Sequence, residues 1–78
     1  MFVKINPKAD VSASIVHYVN LNTVDDIVLL KEKDWKDDPY YVVVLCTRDG
    51  AEVKEIYSTE EEAFSRIKYL LSLVEVVD

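Results

Sequence analysis

Seven consecutive apolar residues, Tyr40 to Cys46, restrict this chain more than any other feature. After Thr47 and Arg48 come Asp49-Gly50 and a second segment, Ala51 to Tyr57. Asp-Gly between two such segments signals a hairpin, because tight turns need positive φ, which glycine adopts without steric cost. Two registers are open. A two-residue loop at Asp49-Gly50 sets Val44 opposite Glu55. A three-residue loop with Gly50 in the left-handed region sets Leu45 opposite Val53 and Tyr41 opposite Tyr57. The second is preferred, since its pairs suit one shared apolar face. Ser58-Thr59-Glu60-Glu61-Glu62 follows directly and reads as a helix start. Either hydroxyl can bond an orphan N–H, and a glutamate three residues on can return the bond.

The remaining chain is read around this unit. Residues 2–5 alternate as a short strand that Asn6-Pro7 ends, because proline lacks a ladder donor. Residues 8–14 are small and polar and read as a loop. Residues 15–19, IVHYV, read as a strand, and residues 20–23 as a turn. Residues 26–33 are expected as a strand; Val24, Ile27 and Val28 also fit helical spacing, and the β-branched start decides for strand. Residues 34–39, DWKDDP, form a charged loop, followed by strands at 40–48 and 51–57. The helix is expected over residues 59–75, with Ala63, Phe64, Ile67, Leu70, Leu71 and Val74 on one arc of about 120°. The expected architecture is α+β, a single domain over residues 1–78. Its four- or five-stranded, mostly antiparallel sheet carries one C-terminal helix packed on one face.

A chain of 78 residues has a thin core, burying about 60% of its unfolded surface. Half its residues are hydrophobic, which argues against disorder. The N-terminus lacks the apolar stretch of a signal peptide, and no apolar run is long enough to span a bilayer. A soluble, cytoplasmic protein is expected. Fifteen acids against nine bases give a net charge of −6. That balance disfavours a phosphate backbone or an anionic membrane as partner.

Chemistry has little foothold. His17 sits in IVHYV with no nucleophile motif beside it, and Cys46 reads as a small core residue of a reducing compartment. One glycine cannot build a phosphate-binding loop. Asp34, Asp37 and Asp38 match no calcium-loop spacing and read as a solvated turn. No catalytic residue, metal or cofactor is expected, and the chain is read as not an enzyme.

Recognition is the stronger expectation. Trp35, Tyr40 and Tyr41 cluster in and after the acidic loop, and exposed aromatics are typical binding anchors. For Trp35 itself the preferred reading is that it folds back over a sheet edge and extends the thin core. Tyr69, Leu73 and Val76 make a second helix stripe that should point away from the sheet. The run 40–46, Val43 included, is apolar at every position, so both its faces want burial, yet one helix covers only one. A homodimer or higher oligomer is therefore expected, preferably through the open sheet face. Alternatively, Trp35 and residues 8–14 fold across that face.

From Tyr18 onward the chain resembles short, mostly uncharacterised phage and prophage proteins. The residues that carry this are Tyr18-Val19-Asn20-Leu21, Val24, Ile27, the Tyr-Val-Val-Val strand at 41–44, Asp49-Gly50, and Tyr57-Ser58-Thr59-Glu60-Glu61-Glu62-Ala63. The segment from Pro7 to Ser14 departs from the pattern. The resemblance implies a mobile-element accessory protein and assigns no functional residue. The leading expectation is thus a nonenzymatic protein-interaction module that binds a host protein. A DNA mimic blocking a nucleic-acid-binding enzyme ranks below it, because Lys and Arg are interspersed among the acids. A sheet stacking single-stranded nucleic acid on its tyrosines ranks third, since the charge opposes it.

Overall fold

Gly50 closes the central hairpin with φ +92°, the left-handed backbone that its three-residue turn requires. In the computed structural model, which describes residues 1–5 and 17–74, Arg48 to Ala51 lie between β4 (Pro39–Thr47) and β5 (Glu52–Tyr57), and the Thr47 N–H donates to the Ala51 carbonyl at 2.9 Å, leaving a three-residue turn of Arg48, Asp49 and Gly50. Leu45 lies opposite Val53 and Tyr41 opposite Tyr57, as the three-residue loop requires. The turn is tied by side chains: the Thr47 hydroxyl donates to Asp49 Oδ1, and the Ala51 N–H donates to Thr47 Oγ1 at 3.1 Å. The Thr47 hydroxyl, then the Ala51 N–H, hold the Asp49 carboxyl below the ordinary carboxylate pKa.

Strand β3 (Val24–Lys33) pairs with the other side of β4, antiparallel, with a bulge between Val24 and Asp26. The sheet order is β3-β4-β5, with the all-apolar strand in the centre. Sequence reading expected one sheet of four or five strands. Instead β1 (Phe2–Lys4) and β2 (Tyr18–Asn20) form a separate two-stranded antiparallel ribbon. The separation comes from a 3-10 turn at Leu21–Thr23. Asn20 Oδ1 accepts the Asn22 N–H at 3.0 Å, and the Thr23 hydroxyl donates to the Asn20 carbonyl at 2.8 Å. These bonds redirect the chain between β2 and β3, so the two strands cannot share a ladder. Of the strand expected at residues 15–19, Ile15 and Val16 lie outside the described residues, as does the loop at 8–14.

Helix α1 (Glu60–Leu73) is capped by Thr59, whose Oγ1 accepts the Glu62 N–H at 3.1 Å. Three glutamates in the first turn complement the positive end of the helix dipole. Ribbon and helix lie on the same face of the main sheet. Val3, Ile5, Val19 and Leu21 from the ribbon and Ala63 and Leu70 from the helix pack with Val43, Leu45 and Tyr57 in one core.

Candidate interaction surface

Successive strand residues point to opposite faces, so the register assigns every side chain of the sheet. Odd-numbered positions of β4 meet the core. The even-numbered positions form the opposite face, called the open face because none of the described elements packs on it. Its rows follow from the pairing. Asp26, Cys46 and Glu52 lie across one end; Val28, Val44 and Lys54 come next, then Leu30, Val42 and Ile56, then Glu32 beside Tyr40. Val42 and Val44 are buried at the centre, while Val28 and Leu30 on the outer strand are 38% and 40% exposed. This is an apolar centre bordered by charge.

The same two strands end in the Asp34–Asp38 turn. Asp34 Oδ1 accepts the N–H groups of Lys36 at 2.8 Å and Asp38 at 2.9 Å, and Asp37 takes φ +69°. The turn projects Trp35 into solvent at 88% exposure, with the Lys36 ammonium 4.9 Å from its ring centre. Trp35 therefore does not fold back over a sheet edge. The Asp34 carboxylate is engaged with its own turn, and Asp37 faces Lys33 at 3.6 Å. Among the described residues, no group of three or more His, Cys, Asp or Glu side chains is arranged to hold a metal ion.

Other residues expected at an interface are placed elsewhere. Val43 is fully buried in the core, because the odd register turns it toward the helix; Val42 and Val44 belong to the open face instead. Tyr41 packs half-buried against the core opposite Tyr57, while Tyr40 lies on the open face. Leu73 packs against the core, Tyr69 is half exposed, and Val76 lies outside the described residues. The expected spare stripe is thus not formed by Tyr69 and Leu73 together. Conversely, Phe64 and Leu71, expected to face the sheet, are 50% and 45% exposed.

One interaction accounts for this rotation. Glu55 occupies an inward position of β5 and is fully buried. Arg66 reaches it from the helix, with Nε 3.0 Å from Oε1 and Nη2 3.0 Å from Oε2. The Tyr57 hydroxyl donates to Oε1 at 2.9 Å, and Arg66 Nη2 also donates to the Lys4 carbonyl at 2.7 Å. A buried charge needs a hydrogen-bonded partner, so Arg66 must point inward. That turns the buried face by about 60°, less than one residue step, bringing Leu73 in and Phe64 and Leu71 out. Burial is the largest single influence on the guanidinium and opposes its charge. The hydrogen bond and attraction of Glu55, with smaller attractions from Tyr57 and Tyr69, outweigh it, so the Arg66 pKa is raised. The preferred hairpin register already placed Glu55 inward with Val53 and Tyr57. An acid at an inward strand position was the available signal for a basic partner on the helix.

Two of the concave regions among the described residues bear on the expected site residues. A groove of about 490 Å³ between ribbon and hairpin turn is lined by His17, Tyr18, Arg48 and Asp49 among others. Cys46 is on the opposite face of the sheet, so His17 and Cys46 do not form a nucleophile–base pair. An apolar groove of about 300 Å³ lies between β3 and the exposed flank of α1, lined by Leu21, Val24, Ile27, Ile67, Leu71 and Val74, with Asp25 at its rim. Among the described residues, no helix is long and apolar enough to cross a membrane. No family model, curated protein or solved structure matches this chain.

Proposed function

We propose that this chain is a nonenzymatic protein-interaction module, a cytoplasmic accessory factor of a phage or other mobile element that binds a host protein. The observation that carries this reading is the open face of β3-β4-β5. Apolar side chains from all three strands meet there, and the two longest strands carry the patch onward toward Trp35 at their tip. Apolar centres with aromatic anchors beside them are what protein partners bury, and Trp and Tyr contribute more to such contacts than most residues. Edge pairing through β3 is a weaker route, because its bulge and its residues Lys31 and Lys33 blunt that edge.

A second reading, self-association, is carried by the exposed flank of α1. Phe64 and Leu71 lie one heptad apart, both exposed, and Leu71 lines the apolar groove with Ile27 and Ile67. A homodimer through this flank would leave the sheet face available to another partner.

The test is comparative capture from host lysate. Parent, Val28→Asp with Leu30→Asp, Trp35→Ala, and Phe64→Glu with Leu71→Glu are the four baits. The reading expects a protein retained by the parent and the helix variant but lost with the sheet-face variant and reduced with Trp35→Ala. Retention that is indifferent to the sheet-face substitutions would defeat it.

A further inference from the structure

We infer that the occupant of the open sheet face is a different protein whose contact surface is apolar at its centre and basic around it, and not a second copy of this chain. This deepens the interaction reading above and rests on it. The border of the face holds Asp26, Glu52 and Glu32 against one base, Lys54, all four exposed. Two face-to-face arrangements align a sheet with its own twofold copy. With the axis along the strands, β3 lies over the partner's β5, and Asp26 of each copy meets the other's Glu52. With the axis across the strands, the two ends exchange, and Asp26 meets the other's Glu32. Both put carboxylates against carboxylates at the edge of an apolar contact, where like charges are costly. The net charge of −6 on each copy adds long-range repulsion to either approach. A surface with an apolar centre and Lys or Arg around it matches the same border with opposite sign and is attracted by the same field. Arg48, in the loop after β4, is engaged by Asp25 at 3.4 Å next to the bulge and does not offset the border.

The test uses two short labelled peptides, one alternating Leu with Lys and one alternating Leu with Glu, titrated against the intact chain by fluorescence anisotropy. The parent is expected to bind the Lys peptide at least about tenfold more tightly than the Glu peptide. Val28→Asp with Leu30→Asp makes the chain more acidic yet is expected to weaken the Lys peptide at least about tenfold, because the apolar centre is lost. Unchanged or tighter binding to that variant would mean diffuse charge attraction and would overturn the inference. Asp26→Lys with Glu52→Lys substitutes exposed positions and is expected to reverse the preference between the peptides. Sedimentation equilibrium of the parent closes the remaining arm. A dimer abolished by Val28→Asp with Leu30→Asp would overturn the inference while leaving the interaction reading standing. Failure of both peptides and of self-association to reach the face would defeat the interaction reading itself.

Discussion

Glu55 and Arg66 face each other across the sheet–helix boundary in a bidentate pair, with both nitrogen–oxygen distances 3.0 Å. The carboxylate is fully buried and the guanidinium side chain 15% exposed. The pair also reaches the Lys4 carbonyl, so one side chain joins strand, helix and ribbon. In a core this thin, that contact decides which helix residues remain outside.

Breaking the pair from one side should be far worse than replacing it. Arg66→Leu leaves a buried carboxylate without its cation and is expected to cost about 3–5 kcal/mol. Glu55→Met combined with Arg66→Leu is expected to recover most of that loss, since apolar replacements of buried pairs are often neutral. Urea denaturation of the three chains measures both. A double variant as unstable as Arg66→Leu would mean the pair contributes more than mutual neutralisation.

The helix cap belongs to Thr59 and not to Ser58. Ser58 Oγ donates only to the exposed Glu62 carboxylate at 3.1 Å, whereas Thr59 Oγ1 accepts a backbone N–H. Thr59→Ala is expected to cost about 1 kcal/mol, lowering Tm by about 4–8 °C in a domain of this size. Ser58→Ala should cost clearly less. Equal losses in thermal denaturation would refute the assignment.

The hairpin turn should respond to both backbone and pH. No heavy atom lies within 4 Å of a Cβ built at Gly50, so Gly50→Ala is penalised by its φ of +92° alone, a cost of about 1–2 kcal/mol. Asp49 has a folded pKa below its unfolded value, so its contribution is present above the unfolded value and is lost as pH falls through the folded one. Between neutral pH and about pH 2, Asp49→Asn should therefore lose less stability than the parent. Parallel melting curves for the two chains across that range would contradict this.

The hairpin and the helix start were legible in the sequence because each is a local matter; the register stayed open between two loops, and the preferred one is the one observed. Gly50 fixes the turn, the pairs Leu45–Val53 and Tyr41–Tyr57 share a face, and Thr59 precedes three glutamates. The division into two sheets was not legible, because it depends on where the Asn20 side chain bonds. The helix rotation was missed for a different reason. Apolar periodicity favours Phe64 and Leu71 inside and is blind to a buried acid that needs Arg66. The exposure of Trp35 follows from Asp34 binding its own turn, which composition alone does not reveal. Residues Tyr40, Val42 and Val44 of the open face were visible as an apolar run. Their separation from Val43 required the register.

The proposed protein partner covers the face that bears Val28, Leu30 and Ile56 around the already buried Val42 and Val44. Calorimetric titration of the captured host protein into this chain, repeated over a range of temperatures, measures that most directly. Burial of apolar surface gives a negative heat-capacity change. A clearly negative value is expected for the parent and for Phe64→Glu with Leu71→Glu, and loss of binding for Val28→Asp with Leu30→Asp. A heat-capacity change near zero, or equal binding by the sheet-face variant, would contradict it.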